Sequence, residues 1–173
     1  MPVIHADPVA PPPGTPPVLP WLHALVIWVI AMVLIIGFVV IGLKIGLVPV
    51  YAGFLLWWYW STHGHSDPRA LIPALMGAVF GTGLSWLLQT GTITGHVPLI
   101  AGALALMAAT LFLVISGRVP LVFNGATMLC ITVFNAPVIQ GHEDFRGIMI
   151  ATVLGFAWFG ATILAITRLA PKS

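Results

Sequence analysis

Long apolar runs, parted by short polar joints, occupy the chain from residue 21 to residue 169. A helix that crosses a membrane needs about 20 mostly apolar residues. Six segments meet or approach that length: 22–43, 48–61, 69–89, 96–116, 119–138 and 147–168. The second is short and ends in Trp57, Trp58, Tyr59 and Trp60. Aromatic rings collect at the membrane–water boundary, so this cluster marks a helix end; an aromatic-lined solute path is the alternative reading.

The joints carry helix punctuation. "GLKIGLVP" closes the first span at Gly46 and opens the second near Pro49, and "ISGRVP" closes the fourth at Gly117 and opens the fifth near Pro120. Glycine just past a helix end and proline in the first turn is the expected asymmetry. Both joints are tight, so spans one and two are expected to be antiparallel neighbours, as are four and five.

These joints also match each other, and so do two polar islands. Gly46, Val48 and Pro49 recur as Gly117, Val119 and Pro120; Gly64, His65, Asp67 and Arg69 recur as Gly141, His142, Asp144 and Arg146. Beyond the islands, Ala74, Ala78 and Gly83 answer to Ala151, Gly155 and Gly160. The stretch between joint and island is six residues longer the second time, which requires an insertion. Repeated apolar helices arise by chance, but a repeated G-H-x-D-x-R does not follow from hydrophobicity. With three spans per unit, the second unit enters from the opposite face. The expected fold is an all-α integral membrane protein of six transmembrane helices in two inverted three-helix repeats, over 21–90 and 95–169. "GHSDPR" and "GHEDFR" then lie on opposite faces.

Composition sharpens this picture. The 173 residues are 60% hydrophobic and 6% charged, against about 25% charged in a soluble domain. Residues 1–20, with eight prolines, are expected to form a disordered or extended tail lacking the basic start of a signal peptide, so the first apolar run is read as a retained helix. A net charge of +2 offers no basic face for nucleic acid. The lone Cys130 excludes a disulfide framework and a paired-cysteine zinc or redox motif. With the N-terminus on the cytoplasmic side, Arg69, Arg118, Arg168 and Lys172 fall inside and Lys44 and Arg146 outside, the orientation that the positive-inside rule favours.

Asp67 and Asp144 each precede an apolar helix, where an aspartate caps free backbone N–H groups. Arg69 and Arg146 stand in first turns, where a cation opposes the helix dipole. They either snorkel to headgroups or, with His65 and His142, form charged vestibules that attract or screen solutes. His63, His65 and Asp67, with His23, have donors at metal-ligand spacing, but inverted topology separates them from His96, His142, Glu143 and Asp144. Solvated or capping histidines are the plainer reading; no metal, haem or other cofactor is expected.

No acidic residue lies inside an expected span and no Lys or Arg lies at mid-membrane. Proton-coupled pumps and voltage sensors need such groups. The interior candidates are neutral: Tyr51, Trp57, Asn124, Thr127 and Asn135 are the expected lining of a solute path, with interhelical hydrogen bonding the alternative for the two amides. Gly77, Gly81 and Gly83 allow close helix approach within the bundle or between protomers. No catalytic constellation is present in the sequence, and no enzyme activity is expected. The chain therefore reads as a passive channel or facilitator for a small neutral or weakly polar solute. The other readings are a non-transporting accessory subunit of a larger membrane complex, with the Pro-rich tail as contact arm, and, as a third, a metal-handling membrane protein using the histidine clusters.

From about Gly42 to Ala165 the chain resembles the small bacterial inner-membrane proteins grouped as domain of unknown function 1097. "GLVPVYAGFLLWWYW" and "VPLVFNGATMLCITVFNAP", each followed by a short loop and a small-residue helix, carry the resemblance. It implies a multi-pass inner-membrane location and brings no residue role. Six-helix urea and amide channels share size and helix count only.

Overall fold

The computed structural model of the protein describes residues 20–63 and 67–169. Among the described residues there is no strand. The helices are α1 (Trp21–Lys44), α2 (Tyr51–His63), α3 (Pro68–Thr94), α4 (Val97–Ile115), α5 (Gly125–Phe134), α6 (Pro137–His142) and α7 (Phe145–Leu169). The tail expected over 1–20 lies, but for Pro20, outside the described residues. Of the described residues, 20–33 belong to one unit and those from Leu34 on to another. The first contains the opening half of α1, an apolar helix with Trp21, Trp28 and Val33 exposed. The contacts given below are within the second.

Four helices, α1, α3, α4 and α7, are long and apolar enough to cross a membrane. The two remaining expected spans are shorter. α2 has 13 residues, a rise of about 20 Å. The segment expected as one helix over 119–138 is divided: 119–124 is turn, α5 has 10 residues, and α6 has six. Pro120 does not open α5; Asn124 does. Its side-chain oxygen accepts from the N–H groups of Ala126 and Thr127, and the Thr127 hydroxyl accepts from its backbone in return, a reciprocal cap that a proline cannot make. The break after Asn135 follows from Pro137, which lacks an N–H and disfavours helix at the residue before it. The extra length of the second joint-to-island stretch is divided: 121–124 precede α5 where Val50 alone precedes α2, and α5 with the break and the start of α6 outruns α2 by the rest.

The helix ends follow the punctuation. Gly46 and Gly117 both turn left-handed after their helices, with φ of +75° and +65°. Asp67 caps α3 with Pro68 behind it, its carboxylate accepting from the Arg69 N–H at 2.9 Å. Asp144 opens α7 the same way, accepting from Arg146 at 3.0 Å and Gly147 at 3.1 Å.

Contacts fix the directions of the runs. Leu71, early in α3, lies against Gly160 of α7, while Gln89, late in α3, bonds the carbonyl of Glu143 just before α7. α3 and α7 are therefore antiparallel. α2 begins where Pro49 meets Gly147 and ends where the Trp60 indole bonds the Asp67 carbonyl, so it runs from the end of α3 to its start. α5 begins beside Pro73 of α3 and is followed by α6 beside Gln89, the reverse course.

Glycines set the closest approaches. Gly53 of α2 lies on Gly155 of α7 backbone to backbone, and Gly77 and Gly81 of α3 receive Asn124, Thr127 and Cys130 from the cap to the middle of α5. Lipid is as apolar as a leucine side chain, so apolar burial between helices drives little association in a membrane; close packing and hydrogen bonds decide it. Around these crossings Trp60, Phe134, Phe145 and Ile148 are fully buried. α4 covers α3 with little burial of its own, only Ala103 and Thr110.

Candidate functional site

A depression with polar side chains in its lining lies near each end of α3. At its start, Tyr59, Trp60 and His63 from α2 face Ala70, Pro73 and Ala74 from α3 and Asn124 from α5, around a cavity of about 130 Å³. The Tyr59 and His63 rings stack at 4.9 Å. The Asn124 amide donates to the carbonyls of Pro73 at 2.8 Å and Pro120 at 3.1 Å, which ties the turn before α5 to the first turns of α3. At the other end a depression of about 240 Å³ lies between the loop Gly46–Pro49 and His142, Glu143, Asp144 and Gly147. It is the more acidic of the two, with two carboxylates on its rim.

Between the ends the interior is neutral and internally bonded. The hydroxyls of Thr82 and Ser85 donate to the carbonyls of Ala78 and Gly81 one turn back, and that of Thr127 donates to Val122. Each donor is thus met within its own segment, and all three residues are fully buried.

The structure does not bring the five expected lining residues together. Asn124 lines the first cavity, but its amide is engaged in capping and in holding α3. Thr127 is buried in the same cap. Asn135 ends α5, donating to the Ile131 carbonyl at 2.7 Å and lying 3.7 Å from the Met107 sulfur. Tyr51 and Trp57 sit on α2, where the Tyr51 hydroxyl and the Trp57 indole nitrogen are buried without a hydrogen-bond partner. Trp57 stacks on Phe159 of α7 at 4.9 Å. Two unpaired polar atoms on one helix are costly wherever water is excluded.

Of the vestibule candidates, Arg69 and Arg146 are exposed and stand at opposite ends of α3. Each lends its backbone N–H to its aspartate. His142 is exposed beside the acidic depression, and His65 lies outside the described residues. Among the described residues no three metal-binding side chains cluster.

The sequence reading passed over two residues. Gln89 and Gln140 are the only glutamines in the chain, and they interlock. The Gln89 amide donates to the carbonyls of Gln140 and Glu143, both at 3.0 Å, and the Gln140 amide donates to those of Phe134 and Ser85 at 2.9 and 3.1 Å. Their rarity in so apolar a chain was the available signal.

The capping geometry carries a quantitative expectation. An N-cap carboxylate replaced by alanine costs about 0.5–2 kcal/mol. Asp144→Ala should destabilise more than Asp67→Ala, because it abandons two backbone N–H groups and Asp67→Ala one. Thermal unfolding in detergent measures both; equal losses would show that the second N–H bond contributes nothing.

No family model, no curated protein and no solved structure matches the chain.

Proposed function

We propose that the chain is a multi-pass inner-membrane protein of six crossings in two inverted three-helix units, and that it is a passive facilitator for a small neutral or weakly polar solute. One observation carries the reading: a depression with polar side chains in its lining stands near each end of α3, and among the described residues the interior between them holds hydroxyl and amide groups but no charge. A neutral solute needs no ionisable relay to move down its gradient, and the interior supplies none. The opposed courses of α2 and of α5 with α6, and the antiparallel α3 and α7, support the inverted arrangement. In it α2 and α5–α6 are the short crossings, with α2 packed on α7 and α3 and α5 packed on α3. Arg69, Arg118 and Arg168 gather at the end where α3 begins, which supports a cytoplasmic N-terminus. The resemblance to the domain of unknown function 1097 proteins belongs to this reading.

Liposomes carrying the purified protein should swell faster than empty ones in at least one of urea, glycerol, short amides or water. No acceleration with any of them sinks the facilitator. Reporter fusions at 64 and 141 should report opposite sides, and a shared side would end the inverted arrangement.

The accessory-subunit reading is favoured by one different observation. An open apolar groove of about 610 Å³ runs between Leu34–Lys44 of α1 and α7, lined by Phe38, Ile41, Trp158 and Ala161 among others. A membrane partner recovered in fixed stoichiometry would support it.

A further inference from the structure

α6 is anchored differently from every helix around it. None of its residues is buried. Ile139 alone among them packs partly against the core. What fastens it is the interlock of two amides: Gln140 reaches the carbonyls of Ser85 and Phe134 and the side-chain oxygen of Asn135 at 3.0 Å, and Gln89 reaches the carbonyls of Gln140 and Glu143. Both its ends are bends: Asn135–Ala136 before Pro137, and the extended Glu143 with ψ of 145°. An element with little apolar burial and a few hydrogen bonds opens at far lower cost than the core does. The unbroken α2 has no such piece.

Beneath α6 lie Ser85 and Phe134, both buried, and its last residue, His142, with Glu143 after it, stands on the rim of the 240 Å³ depression. We infer that α6 is a gate: it hinges at its two bends, and release of the Gln89–Gln140 interlock joins that depression to the interior beside Ser85. The inference rests on the facilitator reading for its purpose, but its geometry can be tested without any solute.

In wild-type protein, the amides of Ile139–Glu143 should exchange with deuterium as one unit and ahead of those of Ser85–Gln89. A thiol placed by Ser85→Cys, in a Cys130→Ser background, should react slowly with a small maleimide in membranes. Adding Gln140→Ala should quicken that reaction about tenfold, the equivalent of one net hydrogen bond in the opening equilibrium. Exchange of α6 as slow as that of α3, or labelling indifferent to Gln140→Ala in a variant that remains folded, overturns the gate, even if solute flux is found. Faster labelling with no flux in either protein leaves the gate standing and removes the facilitator.

Discussion

Gly155→Ala should cost about 3 kcal/mol or more, the upper range for an overpacked core. A β-carbon on Gly155 would meet the Cα of Gly53 in contact no closed structure tolerates, and its carbonyl carbon and oxygen at 2.7 Å. These are backbone atoms, so no side-chain rotation relieves the clash and α2 must move away from α7. The displacement opens the stack of Trp57 on Phe159 and the approach of Gly53 to the Ala151 carbonyl, which a β-carbon on Gly53 would meet at 2.5 Å. Gly53→Ala should therefore be nearly as harmful. Gly83→Ala and Gly102→Ala provide the contrast. They are also helical, and a β-carbon there meets nothing within 4 Å. Alanine is the better helix former by roughly 0.5–1 kcal/mol, so these two should be neutral or slightly stabilising. Unfolding of the four variants in detergent decides the matter: Gly155→Ala as stable as Gly102→Ala would mean that α2 and α7 do not meet at these glycines.

That crossing was only half visible in the sequence. Gly155 stood out as the partner of Ala78 in the repeat, but Gly53 did not, because one small residue among apolar neighbours announces no particular neighbour. The same limit explains the short helices. Hydropathy reports how apolar a stretch is and not whether its backbone stays helical, so 119–138 read as one span although Pro137 divides it and Asn124 starts it late. The extra six residues could be counted from the spacing but not located; they are shared between the longer turn before α5 and the break with α6. Caps were more legible. Asp67 and Asp144 act through carboxylates that reach the next few backbone N–H groups, and Gly46 and Gly117 through their own backbone; local chemistry is what a sequence states directly. Gln89 and Gln140 bond carbonyls more than 50 positions away, and nothing local reveals such a partner.

Asn124 is where the local and the distant readings separate, and three substitutions distinguish them. Asn124→Ala should cost about 2–3 kcal/mol: a lost N-cap of about 1 kcal/mol or more, plus the amide donation to Pro73, worth about 1 kcal/mol net and more if the carbonyls are left dry. Asn124→Ser should recover part of the cap and none of the tie to α3, since a hydroxyl on one carbon cannot bond the N–H groups of Ala126 and Thr127 and the Pro73 carbonyl together. Asn124→Asp keeps the cap, and a carboxylate suits the helix dipole, yet it offers the Pro73 and Pro120 carbonyls an oxygen where they now receive an N–H. The aspartate variant should therefore be less stable than wild type by about 1 kcal/mol or more, the donation it has lost. Chemical unfolding measures this. An aspartate variant equal to wild type would reduce Asn124 to a cap and leave α3 and α5 joined by packing at Gly77 and Gly81 alone.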